Sequence, residues 1–125
     1  MNEYIKKLKC LGDETRIRIL KLLITVNKEL CVCEIVDSLK IQTYTISKHI
    51  KELKNAGILK ESRRGKFIFY SLILNEDNFS ENVINLINSL PDAYFSDDIL
   101  MMNKRLSRRE TDSCATGLSD KGDDK

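Results

Sequence analysis

Cys31 and Cys33, one residue apart in the run Leu30-Cys31-Val32-Cys33-Glu34, are the side chains of this sequence best suited to chemistry. Thiolates prefer soft, polarisable ions: trivalent arsenic or antimony first, then cadmium, lead or monovalent copper. Cys-x-Cys is too short for a zinc-ribbon knuckle and no second pair follows it, so structural zinc is not expected. The competing chemistry is thiol redox or persulfide formation at the same sulfurs, although a disulfide across one residue would be strained. The plainer reading of any free cysteine is a small buried residue, and for Cys114, far down the chain, that reading is preferred. Cys10 is the remaining thiol. The single histidine, His49, cannot make a multi-histidine metal site. Nor does it offer a base beside the pair, so a thiol oxidoreductase, and enzyme activity generally, is not expected.

The elements that must position the pair follow from apolar spacing. Val32, Ile35, Val36 and Leu39 fall at i, i+3, i+4 and i+7, one stripe of a two-turn helix. Ile46, Ile50 and Leu53 repeat that spacing, with Gly57 as the stop and Thr43 placed to cap the start. Two short amphipathic helices joined by Lys40-Ile41-Gln42 outline a helix-turn-helix. On the second helix Tyr44, Lys48, Lys51 and Asn55 project opposite the apolar stripe. Lysines suit phosphates and the polar groups suit base edges, as a helix in a major groove requires. The first helix poses a problem, because residues two apart on an ideal helix point about 200° away from each other. A single ion can then hold both sulfurs only if the helix start is irregular or becomes so, which would shift the helix that follows.

Around this unit, Tyr4, Ile5, Leu8 and Leu11 give a short first helix with Cys10 on its other side. Asp13 starts a second helix, to about Val26, apolar around most of its circumference and therefore central to the core. After Gly57 the pattern becomes extended, residues 58–62 and 67–72 flanking Arg63-Arg64-Gly65-Lys66, which reads as a β-hairpin with a basic tip. Phe79, Val83, Leu86, Ile87 and Leu90 form another helical stripe closed by Pro91. Residues 93–102 suggest a short extra helix, and residues 103–125, nearly devoid of apolar side chains, suggest a disordered tail. One domain over residues 1–102 is expected. The net charge of +2 divides unevenly: residues 1–75 carry 15 Lys and Arg against 8 Asp and Glu, and residues 76–125 carry 6 against 11. The basic part contains the helix-turn-helix, as in a small DNA binder. No run is long and apolar enough for a membrane span or a secretory signal, so a cytoplasmic protein with reduced thiols is expected.

The segments Cys10-Leu-Gly-Asp-Glu-Thr-Arg-Ile-Arg-Ile-Leu20, Glu29-Leu-Cys-Val-Cys-Glu-Ile35, Gln42 to Leu59 and Arg63 to Leu72 together resemble the ArsR/SmtB family of winged-helix metalloregulatory repressors, with the arsenical-resistance repressors nearest. The resemblance covers about residues 8–74. It implies a mainly α, winged helix-turn-helix homodimer, formed through the first helix and the one ending at Leu90, on an inverted-repeat operator. It places DNA contacts on Gln42, Thr43, Tyr44, Ser47, Lys48 and His49, and on Arg63, Arg64 and Lys66 of the wing. It assigns Cys31 and Cys33 to the inducing ion, trivalent arsenic or antimony, with cadmium, lead or a redox signal as the alternative. Where arsenical repressors often have a third cysteine this sequence has Val36. Cys10 takes the place of third ligand, by analogy with related cadmium and lead sensors, and an exogenous thiol or water is the alternative. The zinc site that some members build on the last helix is not expected, since Asp77 and Glu81 there lack a histidine.

Overall fold

The computed structural model describes residues 1–73 and 77–110. Six α-helices run in the order α1 (Asn2–Cys10), α2 (Glu14–Val26), α3 (Val32–Leu39), α4 (Thr43–Asn55), α5 (Asn78–Asn88) and α6 (Ser96–Ser107). A short strand β1 (Leu30–Cys31) precedes α3, and β2 (Leu59–Arg64) and β3 (Phe67–Leu72) follow α4. The strands form one antiparallel sheet in the order β1-β3-β2.

α2 is the centre of the core, with Ile19, Leu20, Leu22 and Leu23 buried on successive sides. Asp13 caps it, accepting the Arg16 N–H at 3.1 Å. Leu30, Ile35, Ile46, Ile50 and Leu53 pack onto it from β1, α3 and α4, so the two stripes of the helix-turn-helix meet on a common support. Lys40 turns the chain between α3 and α4 in the left-handed region at φ 59°. The cap of α4 is Gln42 rather than Thr43, and no side chain closes that end. Gly65, at φ 62°, begins the two-residue turn with Lys66 that joins β2 to β3, where a positive angle is required.

Three features depart from the sequence pattern. β1 is too short to show alternation, yet it pairs Leu30 with Tyr70 and Cys31 with Phe69, adding a third strand to the hairpin. The apolar stripe of α1 faces outward, with Tyr4, Ile5 and Leu8 exposed, and Cys10 faces the core. The last helix passes residue 103: α6 continues to Ser107 and a 3-10 turn covers Arg108–Glu110. Its cations explain why order persists there, because Arg105 is buried and paired with Asp37. Cys114 and residues 111–125 lie outside the described residues.

α6 packs along α3, the helix that carries the cysteines. Met102 is fully buried in the main core and its sulfur receives the Ser38 hydroxyl hydrogen bond at 3.4 Å. Asp98 accepts two 2.8 Å bonds from Arg18, tying α6 to α2, and this partner holds the Arg18 guanidinium above its ordinary pKa. The fork geometry makes the link directional as well as attractive.

Candidate functional site

Cys31 lies off the helix. It is the N-cap of α3, with extended backbone at φ −93° and ψ 164°, and its pairing with Phe69 holds it there. A side chain at that position turns in over the first helical turn. The Cys31 and Cys33 sulfurs therefore stand 3.0 Å apart, with no disulfide joining them. The 200° separation expected on a continuous helix does not arise, because only Cys33 belongs to the helix. Two sulfurs each about 2.3 Å from one ion at a tetrahedral angle stand about 3.8 Å apart. The pair thus needs to open by less than about 1 Å to hold a soft ion. Cys31 is buried and Cys33 half-buried, so access is from the Cys33 side. Cys10 is not brought to this pair. It sits in the main core, its thiol donating to the Glu52 carbonyl at 3.6 Å.

Two arginines from the far end of the described chain reach the start of α3. Glu34 has 0% exposure; its carboxylate accepts the Cys31 N–H at 3.0 Å and is clasped by the Arg109 guanidinium. Arg109 also donates to the Glu29 carbonyl at 2.9 Å. Arg105 Nε donates to Asp37 Oδ2 at 2.9 Å and its Nη2 lies 3.6 Å from Cys33 Sγ. Burial opposes that charge, but Asp37, Cys33 and Glu34 outweigh it and raise the Arg105 pKa. Phe69 completes the wall, its ring under the Arg64 and Arg109 guanidinium groups at 4.8 and 5.6 Å.

None of Glu34, Asp37, Arg105 and Arg109 stands out in the sequence as part of a site. The available signal is their spacing: Arg105 and Arg109 are four residues apart in sequence, and so are Cys33 and Asp37, which share one face of α3.

The other candidate surface is the outer face of α4. Gln42, Thr43, Tyr44, Ser47 and Lys48 are all exposed there, as are Lys51 and Asn55. Tyr44, at 78% exposure, is a large ring left in water, which suits contact with another molecule. His49 behaves differently. It is half-buried and its Nδ1 accepts the Arg16 Nε–H at 3.2 Å, bracing α4 against α2. On the wing Arg63, Arg64 and Lys66 are all exposed, and Arg64 also pairs with Glu29 and lies over Phe69. Lys54 and Glu61, 2.7 Å apart, fasten the end of α4 to β2.

This arrangement has relatives. Residues 13–61, from the α2 cap through α4 into β2, match the bacterial regulatory protein, arsR family. An uncharacterized HTH-type transcriptional regulator of Methanocaldococcus jannaschii is 43% identical over 82 residues, 66% of this chain and 88% of that one. The arsenic resistance transcriptional regulator ArsR1 of Pseudomonas putida is 45% identical over 64 residues, 51% of this chain and 49% of its own length. The chain thus spans about half of that relative. Among solved structures, a homodimeric winged helix-turn-helix DNA-binding domain from Mycobacterium bovis, a possible ArsR-family transcriptional regulator, superposes with a TM-score of 0.59. It is 22% identical, over 74% of this chain and 82% of the other, which supports the fold. Among the described residues no helix is long and apolar enough to cross a membrane. With its winged helix-turn-helix and the extent of these matches, the chain belongs to the arsR family of bacterial transcriptional regulators.

Proposed function

We propose that this regulator is a repressor that binds an inverted-repeat operator as a homodimer and is released when trivalent arsenic or antimony binds Cys31 and Cys33. The observation that carries this reading is the 3.0 Å sulfur pair at the N-cap of α3, the helix immediately before the reading helix. The named activity of the P. putida relative, arsenic resistance regulation, supports the choice of ion. Gln42, Thr43, Tyr44, Ser47 and Lys48 then read the major groove, with Arg63 and Lys66 on the phosphates. His49 and Arg64, each held by an intramolecular partner, contribute by positioning the surfaces that carry the others.

Dimerisation uses the outward apolar side of α1, where Tyr4, Ile5 and Leu8 are exposed, together with Leu86 of α5 at 56% exposure. The homodimeric M. bovis domain has the same fold. A two-fold axis through that surface sets the two reading helices about one DNA turn apart.

Trivalent arsenic favours a third ligand. A hydroxide or exogenous thiol can supply it at the Cys33 side, whereas Cys10 can do so only by leaving its contact with Glu52. Opening the sulfur pair around an ion strains the α3 N-cap. Release follows because the ion binds the DNA-free conformation more tightly than the bound one.

Fluorescence anisotropy on the protein's own upstream DNA, titrated with arsenite, antimonite, cadmium, lead and zinc, tests the whole reading. We expect arsenite and antimonite to release the wild type, release to be lost in Cys31→Ser and Cys33→Ser, and Cys10→Ser to behave nearly as wild type. Tight operator binding that arsenite and antimonite leave undisturbed would refute the proposed signal, and preferential release by cadmium, lead or an oxidant would replace it.

A further inference from the structure

Cys33 and Asp37 stand one helical turn apart on α3, the spacing at which two side chains of a helix can grip one ion. Cys31 lies 3.0 Å from Cys33, yet among the described residues no three Cys, His, Asp or Glu side chains are gathered closely enough to hold a metal ion, so the carboxylate stands apart from the two sulfurs. A donor set of two sulfurs and one oxygen, with water as the fourth ligand, suits tetrahedral divalent ions such as zinc and cadmium. One side chain stands between the carboxylate and the nearer sulfur. Arg105 donates from Nε to Asp37 Oδ2 at 2.9 Å and lies with Nη2 3.6 Å from Cys33 Sγ, so one guanidinium spans the oxygen donor and the sulfur donor. The second nearby carboxylate, Glu34, is likewise committed, to Arg109 and to the Cys31 N–H.

We propose that Arg105 is a specificity-determining residue that occupies the place of a divalent cation between Cys33 and Asp37 and leaves the site with sulfur as its only available donor. The selection works on coordination number. A pyramidal trivalent metalloid is satisfied by the two thiolates and one small ligand, none of which requires Asp37. Zinc and cadmium do best with the oxygen, and to reach it they must displace a buried guanidinium, which carries its own positive charge into the same space. Arg105 reaches this position from α6, past the end of the family match at residue 61. The ion preference of the thiol pair is therefore set by a part of the chain remote from the pair in sequence. The inference rests on the thiol pair being the ion site.

The test is direct titration of the full-length reduced protein, following thiolate-to-metal charge-transfer absorbance with cadmium and with arsenite, with zinc measured by competition. Ratios are compared within each variant, so that any general change in thiol reactivity cancels. Relative to wild type, Arg105→Leu should raise the ratio of cadmium affinity to arsenite affinity by about tenfold or more, the scale on which groups behind the direct ligands act. Asp37→Asn in the Arg105→Leu background should remove that gain, and Arg105→Lys should stay near wild type. An unchanged ratio in a folded Arg105→Leu protein overturns the proposal. So does a tenfold loss of cadmium affinity in the single variant Asp37→Asn, which alters a half-exposed side chain and would show that Asp37 already serves as a ligand. Failure of the underlying reading looks different: Cys31→Ser and Cys33→Ser would then bind arsenite and cadmium as the wild type does.

Discussion

The outer face of α4 and the N-terminal end of α3 are adjacent in sequence and built on opposite principles. Along α4 the polar side chains Gln42, Tyr44, Ser47 and Lys48 point into water. Around Cys31 and Cys33 the polar groups are committed to one another: Glu34 to Arg109, Asp37 to Arg105, Glu29 to Arg64 and Arg109. A surface filled by another molecule, as proposed for α4, keeps its donors available. A site that answers to a small ligand, as proposed for the thiol pair, is held in one geometry until that ligand changes it. Substitutions in the first region should therefore affect DNA affinity without affecting stability, and substitutions in the second should do the reverse.

The largest effect should come from Arg109→Leu. It leaves the fully buried Glu34 carboxylate without its guanidinium, and breaking a buried pair from one side costs about 3–5 kcal/mol. Urea unfolding measures it, and a change below about 1 kcal/mol would mean the clasp adds little. Next in size are the outward residues. Lys48→Ala and Tyr44→Ala should each weaken operator binding by about 1–3 kcal/mol while leaving the unfolding midpoint unchanged. Lys66→Ala should lower the slope of affinity against salt by about one unit, as for a phosphate contact. A matching loss of stability in these variants would dissolve the contrast. The smallest effect separates two caps: Asp13→Ala should cost about 1 kcal/mol, and Thr43→Ala, which caps nothing, close to none.

How much of this was legible in the sequence follows the range of the interactions. The stripes of α2, α3 and α4 and the basic hairpin were visible because they repeat within a few residues, as was the outward face with Tyr44, Lys48, Lys51 and Asn55. Cys31 was misplaced onto the helix because a strand of two residues has no period to detect, and its extended backbone is dictated by Phe69, far along the chain. The same limit explains α6. Arg105 and Arg109 look like solvated cations in a polar run, and only pairing with Asp37 and Glu34, 68 and 75 residues away, gives them a place in the site. His49 and Arg64 show the same limit from the other side: the sequence pattern sets them in segments expected to face DNA, and gives no sign that Arg16 and Glu29, on other elements, partner their side chains.

The strand β1 has a mechanical consequence. It contributes two residue pairs at the edge of the sheet, and such a margin is where a fold opens most cheaply. Cys31 is one of those two residues, so in the proposed repressor an ion that tugs on its sulfur pulls at a seam of only two rungs, and the strand on the far side of that seam, β3, leads out of the tip of the wing. Under that proposal, peeling two rungs would loosen the grip on DNA from the hairpin side at the same moment as from α3, so that one small displacement is felt at both hands of the clamp.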